Sequence, residues 1–412
     1  MDVRHRPLRS AALEDALRDA GIWVAATQVA VIYVGTTLVT PLYRLYQQRF
    51  GFSQLTLTAI YAAYLLGNLA GLLLLGRLSD QLGRRLVNLA ALGCAVLATL
   101  LYLFTASTAW LFAGRIVSGL AISLAATSAT AWVSEFSSDP QRASVYTTAA
   151  NFLGLALGSL LAGLLATYLP APLRLSYLVY LVLLCGSAVL VASARETVRL
   201  RVRSARALSL KPRIGVPPSL RAAFLAPAAA AFASFAVIGY YAALIPSVMA
   251  TALRVTSPAL AGAVVALLTV LGAASAVAAR SLSSRTAMLA GGALLLPALV
   301  LLPWAQGSHS VTLLIAGTVI AGHGTLLGYR GSLQVINEIA PPAGRAGMIA
   351  SYILVCYSAN ALPVLGIGLM STFAGPLAAD VTFACVIAAL VALSLLVAAR
   401  RLPRGRARRR AT

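Results

Sequence analysis

Apolar runs long enough to cross a bilayer follow one another along almost the whole chain, separated by short polar breaks. At about 20 apolar residues per crossing, they predict twelve helices, over 23–46, 55–75, 86–105, 109–133, 144–168, 173–194, 223–250, 257–279, 286–304, 309–331, 344–370 and 376–399. An even number returns the chain to its starting side. The most polar of the short breaks is Gly76-Arg77-Leu78-Ser79-Asp80-Gln81-Leu82-Gly83-Arg84-Arg85, a charged hairpin between the second and third runs. Gly76 and Gly83 suit a tight turn. Asp80 sits among Arg77, Arg84 and Arg85, where a purely structural loop has no need of an acid.

Composition agrees with the pattern, since 60% of the 412 residues are apolar and only 10% are charged. The fold class is therefore all-α integral membrane protein. A formal charge of +22 would suggest nucleic acid in a soluble protein, but its distribution argues otherwise. Basic residues fill the tail before Gly21, the charged hairpin (the island), the region of Arg142, the stretch 195–221, Arg280, Arg285, Arg330, Arg345 and the end from Arg400 onward. The alternate connections hold only Arg44, Arg49, Arg174 and Arg254. The positive-inside rule then places both termini and the long central connection in the cytoplasm, under a bacterial inner membrane or another plasma membrane. The basic runs abut apolar spans and lack interleaved aromatics for base stacking, so anionic lipid headgroups, not nucleic acid, are their expected partner.

Residues 1–22 are polar, with no apolar core or cleavage site, so the first span is expected to act as its own insertion signal. Cys94, Cys185, Cys356 and Cys385 all fall in spans without close spacing and read as small core residues, neither disulfides nor nucleophiles. His5, His309 and His323 are scattered. No metal or cofactor is expected, and neither a phosphate loop nor a Ser/His/Asp grouping is found, so the chain does not read as an enzyme.

The chain also divides in two. Residues 195–222, basic and interrupted by Pro212, Pro217 and Pro218, read as a linker between a six-helix bundle over 23–194 and another over 223–399, with tails at 1–22 and 400–412. Glu135 and Arg142 follow the fourth span, and Glu338 and Arg345 follow the tenth, an offset of 338 − 135 = 203. Pro41 with Pro246, and Ser53 with Ser257, fall at nearly the same offset, which argues for a parallel internal repeat. The island has no such twin, because Ser283 stands where Asp80 is expected.

At these motifs the chain resembles the major facilitator superfamily over nearly all its length. The island is similar to that family's signature Gly-x-Leu-small-Asp-x-x-Gly-Arg-Arg between its second and third helices, and the Glu-x6-Arg segments look like the signature after helices four and ten. Gly154, Gly158, Ala162 and Gly163 in the fifth span resemble the drug-efflux branch's motif, with Ser159 where that motif has Pro. Arg115 with Gly119 resembles its Arg-x3-Gly. Glycines four apart also serve close helix packing alone. The resemblance implies two pseudo-symmetric six-helix bundles, a central path lined by spans one, four, seven and ten, a small-molecule substrate, and a monomer.

Few ionisable groups lie within spans, where they are costly and usually functional. Arg115 reads either as a cation snorkelling to the outer interface or as a cavity charge for an anionic substrate group or partner dipole. His323, between Gly322 and Gly324 near the midplane, reads either as a packed imidazole donating to a backbone carbonyl or as a group binding substrate or proton. No Asp or Glu is expected inside any predicted span, with Asp380 placed near the outer end of the last helix. A proton as coupling ion is thus left open. The remaining pathway candidates are neutral: Gln28 and Tyr33, Tyr240 and Tyr241, and more peripherally Asn151 and Asn360. Tyrosines and amides suit an amphipathic or broadly accepted substrate.

The expected function is secondary transport by alternating access, with efflux of small organic or amphipathic molecules first. The alternatives are uptake or facilitated passage of a metabolite, and a transporter-shaped sensor or lipid-handling protein. In the island, Asp80 is expected to meet the N–H groups and positive dipole end at the start of the eleventh helix, past Pro341 and Pro342. Arg84 or Arg85 is expected to pair with Glu135, so that Gly76, Asp80, Gly83, Arg84, Arg85, Glu135, Arg142, Glu338 and Arg345 together form a latch that stabilises the outward-facing state.

Overall fold

The computed structural model describes residues 8–76, 78–137, 139–198, 214–342 and 344–401. Arg77, the side chain of Arg142, most of the linker and both chain ends lie outside the described residues. Fourteen α-helices are present among the described residues: α1 Leu8–Leu38, α2 Tyr43–Phe50, α3 Gln54–Ala70, α4 Leu78–Leu82, α5 Arg84–Leu103, α6 Thr108–Phe136, α7 Pro140–Tyr168, α8 Pro172–Ser193, α9 Arg221–Thr251, α10 Pro258–Ala278, α11 Ser284–Gly307, α12 Val311–Ile339, α13 Arg345–Ala374 and α14 Pro376–Arg401. Twelve helical segments have the length and apolarity of a membrane span. No strand occurs among the described residues. In hydrocarbon every backbone polar group needs an internal partner, and a helix supplies one locally.

Two of these elements depart from the expected spans. α1 begins at Leu8, well before residue 23, and the first span is broken where Pro41 sits in a short 3-10 turn, Thr40–Leu42, before α2 resumes. Proline cannot donate the N–H that would continue the α-helical ladder. Its repeat partner Pro246 lies inside an unbroken α9, so the pair is equivalent in sequence but not in backbone outcome. The serine pair keeps its role: the Ser53 hydroxyl accepts from Thr56 N and that of Ser257 from Leu260 N, each an N-cap.

Within the first half α1 packs on α6 and α7, and α6 on α3 and α5; within the second, α12 packs on α9, α10 and α11. Large apolar side chains such as Leu66, Leu97, Val182, Val189, Val300 and Leu396 stay exposed and present the outer surface to lipid. Cys185 and Cys385 share that exposed surface, and only Cys356 is fully buried, which corrects the reading of all four cysteines as core residues. Each of the four is a free thiol.

Two seams join the halves, α7 against α10 and α3 against α13. Their closest glycine contacts lie toward the face opposite the island, while Phe152 and Leu155 of α7 and Ala276 of α10 share a buried cluster nearer the island end. A Cβ on Gly262 would strike the carbonyl of Ser159, one on Gly163 that of Pro258, and one on Gly368 the side chain of Thr58. The Thr167 hydroxyl accepts from Ala259 N at 2.9 Å across the same seam. Gly154 and Gly158 instead face the carbonyls of Ala30 and Val34 on α1, so these two glycines of the efflux-like motif permit close helix packing within the first half.

Overpacking a tight contact costs about 1–3 kcal/mol. Gly262→Val is therefore expected to separate α7 from α10 and to raise labelling of a cysteine placed at the buried Ser159, approached from the face opposite the island, by roughly tenfold. Unchanged labelling refutes this account of the seam.

Candidate substrate pathway and island cluster

A layer of tyrosines and amides lies between the halves. From α3 of the first half, Tyr61 and Tyr64 donate to Asn360 Oδ1 on α13 of the second, at 2.6 and 2.8 Å. The Asn360 amide nitrogen donates to the Phe235 carbonyl on α9 at 3.3 Å. One amide thus satisfies two hydroxyls and one carbonyl in a site where unpaired polar groups are costly. On the island side of this layer Tyr33 of α1 lies beside Asn151 of α7 and Tyr357 of α13, and Tyr357 lies beside Asn68 of α3. The Asn68 amide itself has no hydrogen-bond partner within the protein. Tyr329 of α12 packs edge-on against Phe235 at 5.1 Å. Tyr33, Asn151, Phe235, Tyr329 and Tyr357 are half-buried, which leaves them reachable in the middle of the molecule.

Arg115 does not snorkel. It is 1% exposed, with its Nε donating to the Tyr43 hydroxyl at 2.7 Å and Nη1 to the Thr36 carbonyl at 3.3 Å. Its guanidinium lies over the rings of Tyr43 and Tyr61, at 5.4 and 5.2 Å from their centroids. No carboxylate pairs with it among the described residues. Aromatic faces and neutral oxygens therefore carry this cation, and Tyr61 connects it to Asn360 across the seam.

The other pathway candidates are placed differently. Gln28 is fully buried in the first half and donates to the Asn88 carbonyl at 3.2 Å. Tyr241 shares a hydrogen bond with Thr318, and Tyr240 accepts from Gln306, both inside the second half and away from the layer. His323 is half-buried on the seam between α10 and α12, where Nδ1 meets the Ser275 hydroxyl instead of a backbone carbonyl. Asp380 is not at a wet helix end: it is 2% exposed and accepts from Gln306 at 2.6 Å, which corrects the reading that spans hold no acid. The outward position near the start of α14 suggested water, but the neighbouring helices cover it.

In the island, Gly83 takes φ 108°, a region that disfavours side chains, and lets α5 start immediately after α4. Arg84 is the hub. Its guanidinium donates to Glu135 at 2.7 and 3.0 Å, to the Ser79 hydroxyl, and to Asp80 at 2.6 Å. Glu196, just past α8, accepts from the backbone N–H of Arg84 and Arg85 at 2.9 and 3.1 Å. Here a carboxylate does read a helix N-terminus, but it is Glu196 on α5, not Asp80 on α13. Asp80 stays within its own hairpin, with a side chain 63% exposed, and α13 starts after Gly344 without a side-chain cap. In the second half Glu338 accepts from Ser284 at 2.9 Å, Arg345 donates to Asn337 at 3.1 Å, and Ser283 caps α11.

Sequence reasoning missed Tyr43, Tyr61, Tyr64, Tyr357, Glu196 and Gln306. Tyr61 and Tyr64 carried a signal, three residues apart on one helical face; Glu196 was a single acid among arginines.

The Major Facilitator Superfamily model matches residues 25–363. No curated protein matches the chain in sequence. A bacterial homologue of the human lysosomal transporter Spinster, solved inward-facing and unoccupied, superposes with a TM-score of 0.66 at 13% identity, covering 93% of this chain and 95% of its own. The human organic anion transporter MFSD10 (TETRAN) superposes with a TM-score of 0.67 at 17% identity, covering 92% of this chain and 99% of its own. Both show the fold.

Asn360→Leu strands two buried hydroxyls, each worth about 1–3 kcal/mol, and is expected to lower the melting temperature of the detergent-purified protein by several degrees. Glu196→Ala removes a cap worth about 0.5–2 kcal/mol, whereas Asp80→Ala removes an exposed pair worth at most about 1 kcal/mol. Thermal melts that ranked Asp80→Ala as the more damaging would overturn this assignment of the cap.

Proposed function

The chain belongs to the major facilitator superfamily, a family of membrane transporters, and on that premise we propose that it exports small organic or amphipathic molecules by alternating access. The observation that carries the reading is the layer between the halves. Both halves contribute to it, and its groups are phenol rings, amides and an indirectly connected guanidinium instead of a fixed ion pair. Such a surface offers stacking and adjustable hydrogen bonds to an apolar body with a polar edge.

The seams close on the face opposite the island, and the positive-inside rule supports assigning the island and both termini to the cytoplasm of a plasma membrane. On that assignment the structure represents an inward-facing state, ready to load from the cytoplasm. Lipid headgroups would surround the basic rim as its electrostatic partner. The island then serves as a latch for the other state. When the cytoplasmic ends approach, Asp80, exposed here and paired among the described residues with Arg84 of its own hairpin, reaches the uncapped start of α13, while Arg84 remains anchored by Glu135 and Ser79. Glu338 and Arg345 flank the start of α13 in sequence, and Arg142 holds the equivalent place near the start of α7.

Two outcomes are expected. Proteoliposomes holding the protein should concentrate or release fluorescent amphiphiles several-fold faster than empty vesicles; transport of one polar metabolite, with amphiphiles ignored, would replace export with an uptake permease. Asp80→Asn should slow transport and increase labelling of cytoplasmic cysteine probes while leaving the melting temperature unchanged. Wild-type rates and labelling would remove the latch.

A further inference from the structure

Toward the face opposite the island, the two halves bury charges of opposite sign and keep them apart. The first holds Arg115 among tyrosines; the second holds Asp380. Asp380 is the fifth residue of α14, about 6 Å along the helix from its start, yet it is 2% exposed. Gln306, in the last turn of α11, donates its amide to Asp380 Oδ2 at 2.6 Å and to the Tyr240 hydroxyl of α9 at 3.2 Å. Oδ1 has no hydrogen-bond partner among the described residues. The surroundings are close-packed: Tyr240 stacks on Phe383 at 5.1 Å, and Ala305 and Ala379 are fully buried.

The helices packed against α14 supply no counter-charge. α9, α11 and α13 carry as charged residues only Arg221, Arg285 and Arg345, each in the first two residues of its helix. These lie at the island end, about 30 Å away along the axes. The titratable groups of α9 are Tyr240 and Tyr241, the latter bonded to Thr318. Those of α13 are Tyr352, Cys356 and Tyr357, on its island half. In the loops of the same face stand Arg254 and His309; His309 bonds the Ala252 carbonyl at 2.6 Å, and neither is ion-paired with Asp380.

A buried carboxylate that meets one amide and the neighbouring Tyr240 hydroxyl, with no cation paired to it among the described residues, is an unfavourable place for a negative charge. Binding one proton removes that charge. The 3-10 turn Thr40–Leu42 of the first half touches α9 and α10 on this face, so a movement of the halves against each other changes the cover over α9, which carries Tyr240.

We propose that Asp380, positioned by Gln306 and Tyr240, is a proton-binding site of the second half. It takes one proton from the solution opposite the island when that face is open, giving a neutral carboxyl, and returns it as a free proton with the carboxylate restored. This deepens the transport reading and rests on it, because the site has a use only if the halves alternate. The site is separate from the tyrosine and amide layer, so proton and substrate would not compete for the same atoms.

Two measurements test the proposal. In infrared difference spectra of the purified full-length protein across a pH series, wild type should show the carbonyl stretch of a protonated carboxyl that Asp380→Asn lacks, with a midpoint moved by Gln306→Leu or Tyr240→Phe. In proteoliposomes, Asp380→Asn should retain substrate counterflow within about twofold of wild type but lose acceleration by a pH gradient, while His323→Ala keeps it. Identical infrared spectra for wild type and Asp380→Asn overturn the proposal, as does a wild-type gradient response in Asp380→Asn or its loss only in His323→Ala. If wild type moves no amphiphile, the export reading fails alone, because the infrared band reports protonation without transport.

Discussion

The fold depends on one constraint: within hydrocarbon, each polar group must be satisfied by the protein itself. Helices meet it for the backbone, and a few side chains meet it for one another. Asn360 is the clearest case, where one amide serves two phenols and a carbonyl. Because those partners come from different halves, satisfying them also holds the halves together. The same atoms that remove a desolvation cost thereby define the layer between the bundles.

Charges follow the same rule with different partners. Arg84, at the membrane edge, has Glu135, Asp80 and Ser79 around it. Arg115, deep in the first half, has no acid; two phenol rings and two neutral oxygens spread its charge. Asp380 has an amide and a phenol beside it and no cation among the described residues. The gradation from fully paired at the edge to unpaired inside separates a structural anchor from groups whose charge can change or be used.

The internal repeat shows how far symmetry of sequence carries. Ser53 and Ser257 cap equivalent helices, because capping needs only a hydroxyl and a free N–H. Pro41 and Pro246 diverge, because a proline breaks or bends a helix according to what packs beside it. At the island, the acid that one half uses to pair with Arg84 is replaced in the other by Ser283, a plain N-cap. Equivalent positions thus support a charged cluster on one side and a neutral turn on the other.

The sequence by itself determined the membrane class and the twelve spans, and it offered Glu135 as partner of Arg84 or Arg85, since hydropathy, charge alternation and local spacing are properties of neighbouring residues. It also brought Tyr33, Asn151 and Asn360 into view. Only the tertiary structure decided that Tyr61 and Tyr64 meet Asn360, nearly 300 positions along the chain. The same packing turned Tyr240 and Gln28 into the interiors of their own halves and buried Asp380 one turn below a helix start. Each of those outcomes depends on which distant helix covers a given face, and no local pattern of apolar and polar residues records that choice.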